Sequence, residues 1–186
     1  MDKKYEFTGK TMVHHGLTLH RIRALRDFGT VKAGDLGGWL EKEANLSHFG
    51  DCWVANEAKI RDNALVGSQA RVSGHAVVSD NALVTDHALV YGAAKVSGHS
   101  LVSGRAWVYG EATITGHAVV FGSALISGNA LVTDNAQVYG LAQASGRARI
   151  RGNVELLGSV RASGNFHAGG NVVLDTGHYP IDCSAT

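Results

Sequence analysis

From Val54 onward, apolar and polar positions alternate with a period of six. Setting Val54-Ala55-Asn56-Glu57-Ala58-Lys59 over Ile60-Arg61-Asp62-Asn63-Ala64-Leu65, and continuing by sixes, gives fixed columns. The first column is Val or Ile from Val54 to Val138, then Ala144, Ile150, Leu156, Ala162, Ala168 and Leu174. The fifth is Ala from Ala58 to Ala148, broken only by Ser100, and then Val154, Val160, Phe166 and Val172. The third is Gly or Asp throughout, apart from Asn56 and Ser68.

Each hexad therefore reads as a short strand and a corner. The fifth and first residues lie two apart, so in an extended segment their side chains share one face, and that face is apolar. The sixth residue points outward between them. The second to fourth residues turn the chain, where Gly, Asp or Asn tolerates the left-handed backbone of a sharp bend. A period of six smears around an α-helix of 3.6 residues per turn, and no run is long enough for ordinary hairpins. Three hexads per turn predict a three-sided, all-β solenoid of about 7–8 coils, stacked at ~4.8 Å. Small Ala in one inward column suits a narrow prism. Residues 46–174 form the solenoid on this reading, and 175–186 a C-terminal tail.

The order of aliphatic residue, Gly/Asp and Ala resembles the hexapeptide repeat of left-handed parallel β-helix proteins. The left-handed sense is implied by that resemblance; periodicity alone leaves it open. The segment from Leu19-His20-Arg21-Ile22 through Gly34-Asp35-Leu36-Gly37-Gly38-Trp39-Leu40 to Asn45-Leu46-Ser47 resembles a bacterial and phage group of YdcK-like, or polymer-forming, hexapeptide proteins. The wider β-helix family contains acyltransferases that use coenzyme A or acyl carrier protein, and γ-class carbonic anhydrases. Many are homotrimers with sites between neighbouring prisms, so the resemblance implies these options without choosing among them.

Solenoid ends expose unpaired edges, so residues 1–45 are expected to form a small N-terminal β cap and an irregular first coil. Lys4–Phe7 and Leu17–Leu25 read as strands, with Leu19/Ile22/Leu25 as an alternative helical turn. Val31, Leu36, Leu40 and Leu46 are the apolar candidates for the first coil, and Tyr179-Pro180-Ile181 would fold over the last. Cys52 falls in the inward fifth column. Cys183 lies about seven coils away, ~34 Å at the stacking distance, so free thiols are expected.

The outward residues define three walls. Lys59, Val77, Lys95, Thr113, Leu131, Arg149 and His167 make a mixed one. Leu65, Leu83, Leu101 and Val119 make the second, and Leu89, Trp107 and Leu125 the middle of the third. This apolar stripe exceeds what a monomer normally presents to water. Either the N-terminal segment folds back over it, or prisms associate side by side, most simply as a homotrimer. An open end-to-end polymer is the third possibility.

Corner columns carry the candidate chemistry. Asn63, Asn81, His99, His117, Asn135, Asn153 and Asn171 line one corner; Asn there suits the bend and an amide ladder. Asp86, His87, Arg105, Phe121 and Tyr139 line the corner between the apolar walls, and His75, Tyr91, Tyr109 and Glu111 the next. Of these, His87, Arg105, Trp107, Tyr91, Tyr109 and Glu111 are the candidate binding residues, polar anchors beside apolar walls. Stacking of Tyr91 on Tyr109 is the plainer role for that pair.

With 17 Lys+Arg against 16 Asp+Glu there is no broad basic field for nucleic acid. No run of ~20 apolar residues would span a bilayer, and MDKKYEFTGK lacks an apolar signal region, so a cytoplasmic setting is expected. Gly is abundant at 24 and Pro rare at 1, but 45% hydrophobic residues argue for a packed fold. The paired His spacing implied by a carbonic-anhydrase likeness occurs only at His15/His20 in the cap, so no metal site is expected.

The functional reading is a non-catalytic, homotrimeric binding or scaffold protein. It would hold a small anionic ligand or, if phage-encoded, a host protein in the host cytoplasm. Twenty-one hexads without an inserted loop motivate it. The alternative is an acyltransferase using acetyl-CoA or another acyl-CoA, with His87, His99 or His117 as general base.

Overall fold

The computed structural model describes residues 3–180. Its body is a parallel β-solenoid in which every hexad contributes a two-residue strand made of its sixth and following first residue, such as Leu65–Val66 and Leu83–Val84. The strands stack into three parallel sheets, one per wall of the prism. Register advances by one coil of three hexads: Leu83 pairs with Leu101 and Leu101 with Val119 on the second wall. Leu89 pairs with Trp107 and Trp107 with Leu125 on the third.

Inside, Val84, Val102 and Val120 lie above one another with no exposure to solvent. The Ala column is equally buried, and Ser100, its one exception, donates its hydroxyl to the Ser97 carbonyl at 2.7 Å. Burying a Val side chain contributes roughly 1.5–3 kcal/mol, so the stack is held largely by this column pair. The chain turns at the third column, where the residues with positive φ include Asn56, Asp62, Ser68, Asp80, Asp86 and Asp134 among long runs of Gly.

Asp does more there than tolerate the bend. Asp80 Oδ2 accepts the Gly98 N–H at 2.9 Å, Asp86 that of Gly104 at 3.0 Å, and Asp134 that of Gly152 at 2.8 Å. Each carboxylate thus staples its coil to the next. The Asn corner likewise forms amide ladders, from Asn63 to Asn81 at 3.3 Å and through Asn135, Asn153 and Asn171 at 2.9 and 2.7 Å.

The N-terminus forms an antiparallel hairpin of β1 (Tyr5–His14) and β2 (Leu17–Ala24), followed by β3 (Leu36–Leu40). All three extend the mixed wall, because Trp39 and Leu40 pair with Lys59 and Ile60 in the solenoid register. The hairpin therefore does not cover the two apolar walls. The helical-turn reading of Leu19/Ile22/Leu25 gives way to β2, in which Leu19 and Ile22 are buried and Leu25 lies outside and exposed. β1 also runs beyond Phe7, through a register irregularity, to His14. Val31, Leu40 and Leu46 are buried as first-coil residues, whereas Leu36 is exposed at the start of β3.

Single contacts hold the cap. Arg21 Nη1 meets Glu57 Oε1 at 2.8 Å, and Trp39 Nε1 donates to Glu57 Oε2 at 2.9 Å. Asn45, buried after a short 3-10 turn at Glu43–Asn45, donates to the carbonyls of Asp62 and Ala64 at 3.1 and 2.8 Å. At the other end His178–Tyr179 adds a last strand beside Arg161–Ala162, and Tyr179 packs against Phe166 with ring centroids 5.5 Å apart. Cys52 is a buried free thiol; Cys183 and Ile181 lie outside the described residues. No described helix is long and apolar enough to cross a membrane.

Candidate functional site

The outward residues of a solenoid wall stand directly over one another, so each shields its neighbours above and below. Leu83, Leu101 and Val119 on the second wall, with Leu89 and Leu125 on the third, are half-buried in this way. Leu65 and Trp107 remain 38% and 46% exposed. Around Trp107 the third wall carries a shallow concavity of about 380 Å³, lined by Arg105, Trp107, Ser123, Leu125 and Gln143. It has apolar ground with a guanidinium and an amide at its edge, which suits an apolar partner carrying an anionic or carbonyl group.

The candidate binding residues divide between two corners. His87 stands in the column of Arg105, where the second wall turns into the third, and both are exposed. Tyr91, Tyr109 and Glu111 stand where the third wall turns back to the mixed one. Tyr91 and Tyr109 stack at 5.0 Å with planes 3° apart, and burial raises the Tyr91 pKa, with Tyr109 adding to the rise. Trp107 lies on the wall between the two groups. The structure thus gathers Arg105 and Trp107 into one concavity and leaves the two tyrosines and Glu111 on its far edge.

Phe121 and Tyr139 make another stacked pair, at 4.7 Å. Tyr139 donates its hydroxyl to Glu155 Oε2 at 3.0 Å, and this bond raises the Tyr139 pKa.

The three candidate bases also separate. His99 and His117 stack on each other at 5.0 Å on the Asn corner, away from His87. Neither corner holds a group of three His, Cys, Asp or Glu residues placed to take a metal ion, nor does any other part of the described residues. In the cap, the His20 ring lies on Phe7 at 4.8 Å while His15 meets the edge of His14 at 4.3 Å.

Sequence reasoning missed a second concavity, under the hairpin tip. His14 and His15 come to lie over the mixed wall beside Arg61 and Lys95. No periodic signal marks it, because the hairpin lies outside the repeat.

The comparisons with known proteins agree with this architecture. The YdcK Beta solenoid repeat family matches residues 124–140. A protein of Escherichia coli (strain K12) called "Uncharacterized acetyltransferase YdcK" is 35% identical over 57 residues, which are 30% of this chain and 18% of that relative. The chain thus matches less than a fifth of that relative's length. With its unbroken hexads and three parallel sheets the chain is a parallel β-solenoid, and its repeat is similar to that of the YdcK Beta solenoid family.

Proposed function

We propose that this chain is a binding or scaffold protein that works as a closed homotrimer, with its apolar walls turned toward neighbouring copies. The observation that carries the reading is the stripe of Leu65, Leu83, Leu101 and Val119 beside Leu89, Trp107 and Leu125. Two adjacent apolar walls per prism offer one to each neighbour, which is the head-to-tail arrangement that closes into a ring. The hairpin extends the mixed wall and leaves both free for this purpose. In such a trimer Arg105 and His87, at the edge between the two walls, would border the inter-prism grooves. A small anionic molecule, or a host protein in a phage setting, would be held there, in the cytoplasm.

Native mass spectrometry of the purified protein tests the assembly. A mass three times that of the chain is expected, falling to the single-chain mass in a Trp107→Glu variant. A single-chain mass for the unaltered protein at micromolar concentration overturns the reading.

A second reading, an acyltransferase drawing on acetyl-CoA, is favoured by the name of the Escherichia coli relative. One of His87, His99 and His117 would act as general base, completed by a neighbouring copy. Steady turnover of acetyl-CoA, abolished by changing one of these histidines to Ala, would establish it over the scaffold reading.

A further inference from the structure

The cleft under the hairpin tip carries features that the self-association reading leaves unused. The tip residues His14 and His15 stand over three successive coils of the mixed wall, facing Arg61, Val77, Ser79, Asp80, Lys95 and Ser97 across a cleft of about 330 Å³. Two donor-capable atoms of its lining residues are buried without a hydrogen-bond partner: Nε of Arg61 and Nδ1 of His14. Arg61 gives Nη1 to Asp62, and Nε, on the edge that grips oxyanions with two parallel bonds, has no hydrogen-bond partner.

Cationic groups gather on the His14 side of the cleft. Burial lowers the His14 pKa first, and His15, Lys59 and Arg61 lower it further by repulsion. Two carboxylates lie close by: Asp80 lines the cleft and Asp62 pairs with Arg61, while Asp62 Oδ2 also accepts the Asp80 N–H at 3.2 Å and Asp80 Oδ2 accepts that of Gly98 at 2.9 Å. Val77 adds an apolar patch, and the volume exceeds that of a bare ion.

We propose that this cleft binds a small organic molecule through an oxyanion head, a carboxylate or a phosphate, held between the Arg61 guanidinium, the His14 ring and the Lys95 ammonium. The site lies on the mixed wall and does not depend on trimer formation. An anion there satisfies both orphaned nitrogens and favours the protonated imidazole, so binding raises the His14 pKa.

Titration of the full chain with inorganic phosphate, and separately with acetate, followed by amide and histidine NMR, tests it. At least one anion is expected to shift His14, His15, Ser79 and Ser97 together and saturably, with an upward move of the His14 titration. The arm that saturates identifies the head group. Arg61→Gln should weaken binding at least tenfold, and Lys95→Gln, at an exposed position that leaves the fold intact, several-fold. The same titration on the Trp107→Glu variant should be unchanged, which separates this site from the assembly. Shifts that do not saturate with either anion, or that survive both cleft substitutions, overturn the proposal.

Discussion

The Lys4 ammonium is buried at the mouth of the prism, 2.8 Å from the Cys52 carbonyl oxygen and 3.2 Å from its Sγ. It also donates to the Gly50 carbonyl at 3.2 Å and lies 5.0 Å from the Phe28 ring centroid. One charged side chain thereby satisfies carbonyls that an open solenoid end would otherwise leave unpaired. Lys4→Met keeps the apolar stem but strands those acceptors, at a cost of about 1–3 kcal/mol.

The same pair has a pH signature. Burial holds the Lys4 pKa below its ordinary 10.5, so the folded chain binds this proton less readily than the unfolded one. The stability governed by Lys4 therefore rises as pH climbs from the folded value toward 10.5. Cys52 opposes it: burial pushes its thiol above the ordinary 9.0, so ionisation favours the unfolded chain once pH passes that value. Thermal melts of Lys4→Met should be lower at neutral pH and should lose the rising component. Unchanged melts across this range would rule out Lys4 as a keystone of the cap.

Glu57 ties the hairpin to the first full coil. Its contacts with Arg21 and then Trp39 hold its carboxyl below the ordinary 4.5. The tie is fully present above 4.5 and is lost as pH falls through the lower folded value. Hydrogen exchange should show β2 amides losing protection in acid before the solenoid does. Glu57→Gln should produce the same selective loss at pH 7.

Corner positions should divide sharply by residue. Gly128 has φ +65°, and a Cβ placed there would stand 2.9 Å from the Gly146 nitrogen in the next coil. Gly128→Val should cost about 2 kcal/mol or more, from backbone strain and that contact. Asp134→Gly keeps the bend but removes the acceptor of the Gly152 N–H, and should cost only about 1 kcal/mol. Denaturant melts of the two variants measure the difference, and no loss of stability in Asp134→Gly would contradict its stapling role.

His99 and His117 interrupt an Asn ladder, and replacing both with Asn should restore it. The double variant is expected to match or exceed the parent by about 0.5–1.5 kcal/mol for each amide bond gained. Chemical denaturation reads this directly. A large loss of stability would mean that the stacked rings hold the corner themselves.

The periodic part of the molecule was legible in one dimension. Inward Val and Ala, corner Gly and Asp, and the Asn ladder all recur at fixed spacing. Their neighbours in space are the same residue types one coil away, so local preference and packing demand the same side chain, coil after coil. The three walls and the exposed position of Trp107 follow from that counting alone.

Only the tertiary structure decided what breaks the period. Nothing in the spacing placed Arg21 against Glu57, buried Lys4 beneath Cys52, or carried His14 and His15 down to Arg61 and Lys95. These are single long-range contacts without a repeat to announce them. Their partners are chosen by where one hairpin docks, which buries Tyr5, Leu19 and Ile22 outside any repeating column.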